Sequence, residues 1–139
     1  MSFGCSAGDF IAILTLAIKV QTGYKDSDPK DHNRLISEEA GALRVLLEKS
    51  AQHFRNTTVR SDDYHYGKKA LDDCQNVLED LISLIEKYKR LVPINKRLEV
   101  TGVRLGKENT ITLRERLILN TTILKGFVQR SVVLDILFN

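Results

Sequence analysis

Leu71-Asp-Asp-Cys-Gln-Asn-Val-Leu-Glu-Asp-Leu-Ile-Ser-Leu-Ile-Glu-Lys-Tyr88 is the stretch that decides the fold class. Leu71, Cys74, Leu78, Leu81, Ile85 and Tyr88 follow one another at steps of three, four, three, four and three. That spacing holds side chains on one face of an α-helix. Val77, Ile82 and Leu84 widen the stripe. The pattern predicts a helix over about 63–91, closed by Pro93, because proline disfavours helical geometry in the residue before it. Working outward, Ile36, Ala40, Leu43, Leu47, Ser50 and Phe54 keep steps of four and three, flanked by Leu35 and Leu46, and predict a helix over 29–54 begun by Pro29. Downstream, Leu113, Leu117, Asn120, Leu124, Phe127, Ser131, Leu134 and Phe138 predict one over 108–138.

The N-terminus supplies the fourth helix. Ser6 and Asp9 have the spacing of a capping box, in which a hydroxyl and a carboxylate satisfy free amide N–H groups. Asp9 also places a negative charge in the first turn, where the helix dipole favours it. The run from Phe10 to Ile18 is apolar on nearly every side, so this helix, over about 7–22 and closing near Gly23, either lies buried or rests on something equally apolar. Asp26-Ser-Asp-Pro-Lys-Asp31 reads as a turn, 55–63 as a polar loop, and 94–107 as a basic connection with two glycines. The sequence has no repeat, low-complexity tract or strand-like alternation. Four amphipathic helices with short connections imply an all-α, antiparallel four-helix bundle. Its core is expected to hold Leu43, Leu47, Cys74, Leu78, Leu81, Ile85, Tyr88, Leu117, Asn120, Leu124 and Phe127. Asn120, polar within an apolar stripe, is expected to be a buried amide that fixes helix register through a hydrogen bond.

Bulk properties agree with one soluble domain over 1–139. The chain is 42% hydrophobic and 28% charged, with no tryptophan and only two prolines. The net charge of +3 is too small to point to nucleic acid. Its distribution says more. Residues 62–80 hold six acids against Lys68 and Lys69, a balance of −4. Residues 86–107 hold Lys87, Lys89, Arg90, Lys96, Arg97, Arg104 and Lys107 against Glu86 and Glu99, a balance of +5. The second segment is either a solvated face or a basic patch for an anionic membrane or an acidic partner. Cys5 and Cys74 do not make a disulfide framework and fit a reducing cytosol. Without a basic segment ahead of it, the apolar run is not a secretory signal, and it falls far short of the roughly 20 residues that span a bilayer. Val132, Val133, Ile136 and Leu137 make the last helix more apolar than one stripe needs, which fits a helix cut from a longer chain.

Catalytic and cofactor signatures fail on spacing. Gly102-Val-Arg-Leu-Gly106-Lys107-Glu108 is one residue short of a phosphate-binding loop and has Glu where magnesium needs Ser or Thr. Asp26-Ser-Asp28 begins like a calcium loop, but Lys30 and Asp31 occupy the positions of a ligand and of the turn glycine. His32, His53 and His65 are dispersed and have no cysteine pairs near them. The reading is a non-enzyme with no metal and no cofactor.

Three segments carry a resemblance. Met1-Ser-Phe-Gly-Cys-Ser-Ala-Gly-Asp-Phe10 resembles the opening of the HeLo-like N-terminal domains of fungal NOD-like (STAND) NTPases, also described as the azaphilone pigment cluster protein L N-terminal domain family. Asp73-Cys-Gln-Asn-Val-Leu-Glu-Asp-Leu81 through Lys87-Tyr88 is similar to that family's Cys-x-x-Val-Leu-x-x-Leu stretch, and Leu113 to Phe127 to its closing helix. Cys5 stands where the family usually has Phe, and 24–34 and 55–66 match poorly. The resemblance implies a helical bundle ahead of a nucleotide-binding oligomerisation module, acting in programmed cell death or innate immunity. It implies a cytoplasmic domain that self-associates on activation and moves to the plasma membrane. Phe3, Phe10, Ile11, Ile13, Leu14, Leu16 and Ile18 are then the membrane-active residues, packed in the core at rest, and the basic patch holds anionic lipid. The alternative expectation is an adaptor bundle that signals through homotypic or heterotypic contacts while its first helix stays in place.

Overall fold

The computed structural model describes residues 7–26, 31–55, 64–91 and 96–138, with side chains over 7–25, 33–55, 65–87 and 110–133. Four helices occupy them: α1 (Ala7–Asp26), α2 (Asp31–His53), α3 (Tyr64–Leu91) and α4 (Lys96–Phe138). The expected all-α four-helix bundle is the observed architecture, and among the described residues there is no strand. Helix α1 packs on α2 and α3, and α4 packs on the same two helices. The pairs α1–α4 and α2–α3 make no contact among the described residues, so they sit on the diagonals of the bundle.

Directions follow from which residues meet. The Phe10 ring near the start of α1 stacks on Phe54 after α2, with centroids 5.2 Å apart and planes 8° apart, so α1 and α2 are antiparallel. Asn120 reaches Asp73 and Arg116 reaches Asp80, so α3 and α4 are antiparallel too. Tyr24 reaches Leu81, which makes α1 and α3 parallel neighbours. The chain runs up, down, up, down through the four helices.

The stripes read from spacing form the centre. Ile36, Ala40, Leu43, Leu47, Ser50 and Phe54 of the second segment are buried. So are Leu71, Cys74, Leu78, Leu81 and Ile85 of α3 and Leu117, Leu124, Phe127 and Ser131 of α4. Leu113 packs against the core partly buried. The Tyr88, Leu134 and Phe138 side chains lie outside the described residues. Helix α1 adds Phe10, Ile13, Ala17, Val20 and Tyr24 at the same alternating steps of three and four.

Two helix ends differ from expectation. Helix α1 continues past Gly23 to Asp26. Gly23 serves packing there: a Cβ would lie 3.3 Å from Ile85 Cδ1, so its bare backbone lets α3 come close. Helix α4 begins at Lys96 instead of 108, and the supposed connection at 94–107 is mostly helix. No proline follows Pro93. The segment is otherwise rich in Lys, Arg, Leu and Glu, which absorb the roughly 1 kcal/mol cost of each glycine.

Candidate functional site: the first helix

Helix α1 contains no acidic residue between Phe10 and Lys25. Its inner face is fixed at three levels. At the N-terminal end, Phe10 is fully buried and stacked on Phe54, whose ring also meets that of His53 at 4.8 Å in a T-shaped arrangement. In the middle, Ala17 and Val20 are fully buried. At the C-terminal end polar groups take over. The Ser37 hydroxyl donates to the Gln21 carbonyl at 2.9 Å, and Arg44 donates to the Gln21 side-chain carbonyl at 3.2 Å. Arg44 also bonds Glu48 at 3.0 Å, which orients it. Gly41 makes room for this arrangement, since a Cβ there would come within 2.9 Å of Gln21 Nε2. The Tyr24 hydroxyl donates to the Leu81 carbonyl at 2.9 Å across to α3. Burial pushes the Tyr24 phenol well above its ordinary range, so it stays protonated and keeps donating.

The outer face of α1 is a different surface. Ile11 is 43% and Ile18 37% exposed, with Ala12 and Thr15 between them. Thr15 turns its hydroxyl back on the Ile11 carbonyl at 3.2 Å. Lys19 and Thr22 complete the face. Of the seven residues expected to be core at rest, Phe10 and Ile13 are buried, and Leu14 and Leu16 pack partly against the core. Ile11 and Ile18 are a correction: they lie on the far side of a helix that has only one buried stripe. Phe3 and Ser6 lie outside the described residues, so the capping box does too, while Asp9 sits half-buried in the first turn.

The basic patch falls on either side of the α3–α4 connection at 92–95. Lys87 is exposed near the end of α3. Lys89 and Arg90 follow in α3, and Lys96, Arg97, Arg104 and Lys107 belong to α4, with side chains outside the described residues. Asn120 is partly buried and donates from Nδ2 to the Asp73 carbonyl at 3.3 Å, and its own carbonyl receives the Cys74 thiol at 3.5 Å. This reciprocal contact fixes the register of α4 on α3. Arg116 to Asp80 at 2.8 Å and Arg114 to Glu39 at 3.7 Å add ion pairs from α4 to α3 and to α2.

Among the described residues no group of His, Cys, Asp and Glu is placed to hold a metal ion, and no helix is long and apolar enough to cross a membrane. Sequence reasoning missed the Ser37–Gln21 and Tyr24–Leu81 contacts. Gly41, a glycine inside a strong helical pattern, was the available signal for a close helix approach. No family model, no curated protein and no solved structure matches this chain.

Proposed function

We propose that this bundle is a HeLo-like signalling or cell-death-executing domain, the N-terminal part of a fungal NOD-like receptor. It rests closed and acts on anionic membranes through α1 once copies are clustered. The observation that carries this reading is α1 itself, acid-free from Phe10 to Lys25, apolar on its buried side and carrying Ile11, Ala12 and Ile18 on its exposed side. Ile11 and Ile18 on the outer face would let a released α1 meet lipid on a second side besides its buried stripe.

The energetics require a trigger. Exposing Phe10, Ile13 and Val20 costs about 1.5–3 kcal/mol each, before the Ser37 and Tyr24 hydrogen bonds are lost. The sum approaches the whole 5–15 kcal/mol or so that stabilises a typical domain. A single copy therefore keeps α1 in place, and release becomes favourable only where lipid takes over the role of the core. Clustering raises the local concentration of released helices and offsets part of the cost. Forced clustering of the 139-residue chain on anionic vesicles tests this: dye release supports the reading, and intact vesicles overturn it.

A second reading is favoured by the clamp of Ser37 on Gln21 and Tyr24 on Leu81, which ties α1 to both of its neighbours. In that reading the bundle stays closed and signals as an interaction module through its exposed faces.

A further inference from the structure

Helix α4 carries a second apolar seam that the bundle does not cover. Leu119 is 58%, Ile123 50% and Val133 53% exposed, and Glu115, Thr122, Gly126 and Arg130 are exposed with them. At about 100° per residue these seven positions fall within one stripe roughly 100° wide, opposite the buried face of Leu117, Leu124 and Phe127. Thr122 returns its hydroxyl to the Ile118 carbonyl at 2.8 Å, so no side-chain donor projects from the middle of the stripe. Gly126 lies open on this face without a side chain: a Cβ there would meet nothing within 4 Å.

The order of residues along the stripe is self-complementary. If two copies of α4 lie antiparallel about a point between Thr122 and Ile123, Leu119 of each meets the bare backbone at Gly126 of the other. The same register brings Glu115 level with Arg130 of the second copy, twice over. A guanidinium has five donors, so Arg130 can serve that carboxylate in addition to neighbours in its own chain. A parallel pairing would instead set Glu115 against Glu115 and Arg130 against Arg130.

We propose that the outer face of α4, from Glu115 to Val133, is a two-fold self-association surface whose occupant is α4 of a second copy. The contact spans about 27 Å of helix, at 1.5 Å per residue. One helix pair of that length buries less than the roughly 1,200 Å² of a stable complex, so the dimer is weak and forms where copies are already concentrated. Because α1 and α4 are diagonal, pairing through α4 leaves the outer face of α1 clear. The proposal rests on the clustering step of the function proposed above.

Sedimentation velocity of the 139-residue chain over a concentration series tests it, with circular dichroism to check folding. The expected result is a shift from 15.8 kDa monomer towards dimer as concentration rises. Leu119→Glu should weaken the dimer at least tenfold, and Gly126→Phe, which puts a bulky ring where Leu119 of the second copy must sit, should do the same. Glu115→Arg or Arg130→Glu alone should weaken it several-fold, in line with modest exposed pairs, and the two together should restore it. A chain that stays monomeric, or a dimer indifferent to these four changes, overturns the seam. So does a monomer that binds anionic vesicles only while Leu119 is intact, which would make the face a lipid contact. Vesicle leakage by chains clustered through a fused oligomeric tag separates the two ideas, since leakage without a functional seam leaves the clustering reading standing while this proposal fails.

Discussion

Replacing Ile11 and Ile18 together by Glu separates the resting bundle from its proposed action. Both side chains lie on the outer face of α1, 43% and 37% exposed, so each has only part of its surface in the core. Fully burying an isoleucine is worth about 1.5–3 kcal/mol, and Glu keeps two methylenes, so the folded state should lose about 1 kcal/mol per site. For a chain of this size the unfolding entropy is about 0.3 kcal/mol per degree, and the pair should lower Tm by about 7 °C. In a bilayer the balance is different. A charged side chain there costs about 3 kcal/mol, and each lost isoleucine forfeits about 0.5 kcal/mol more. Two sites give about 7 kcal/mol, a fall of about 10⁵-fold in insertion. The assay is dye release from anionic vesicles by the clustered chain, beside a thermal melt. Val45→Glu on α2, at a site of similar exposure, is the control that should melt slightly lower and leak normally. Leu14 is a poorer site, because it packs partly on the core and a charge there mixes both effects. Leakage by the double variant within twofold of the parent, with the melt as expected, would refute the reasoning.

Phe10→Ala removes a fully buried ring stacked on Phe54 and should cost about 3–5 kcal/mol in urea unfolding, whereas a loss under 1 kcal/mol would deny Phe10 its anchoring role. Asn120→Ala should cost about 1 kcal/mol through the lost bond to the Asp73 carbonyl, and an unchanged urea midpoint would remove Asn120 as a register lock. Alkaline pH should destabilise the bundle: burial first, and the Asp73 charge second, push the Cys74 thiol from 9.0 up to about 12. A raised folded value means that stability is intact below pH 9 and falls as pH climbs from 9 towards 12, by about 1.4 kcal/mol per unit. Between pH 8 and 10.5 Cys74→Ala should shrink that loss by about 2 kcal/mol, and equal losses in both proteins would contradict the assignment.

The bundle was legible because α2, α3 and α4 each carry a long run of apolar residues at steps of three and four, so spacing alone says which side turns inward. Helix α1 gave no such contrast. Ile11, Leu14, Leu16 and Ile18 surround the true inner stripe, which is set by the stacking of Phe10, by the small Ala17 and by the reach of Tyr24 to Leu81. These are tertiary facts with no local signature. Gly23 was read as a stop because glycine commonly closes helices, but its role is to let Ile85 approach. The two glycines within 94–107 were read as a connection for a similar reason, although helix formers around them outweigh their cost. The outer seam of α4 has no such signal, since Leu119 and Ile123 fall off the stripe from Leu113 to Phe138 and their exposure follows only from the packing.

The central claim is that clustering on a membrane takes α1, and α1 selectively, out of the core. Ala17→Cys in a Cys5→Ser background places a thiol on the fully buried side of α1, and native Cys74, fully buried on α3 against α4, serves as an internal reference. The measurement is the rate at which a lipophilic maleimide modifies each thiol, first at rest and then after clustering on anionic vesicles. The account predicts that both are protected at rest and that position 17 then reacts at least about a hundredfold faster while Cys74 stays protected, a change equivalent to about 2.7 kcal/mol in opening. Protection of both thiols while the vesicles leak, or exposure of both together, would contradict it.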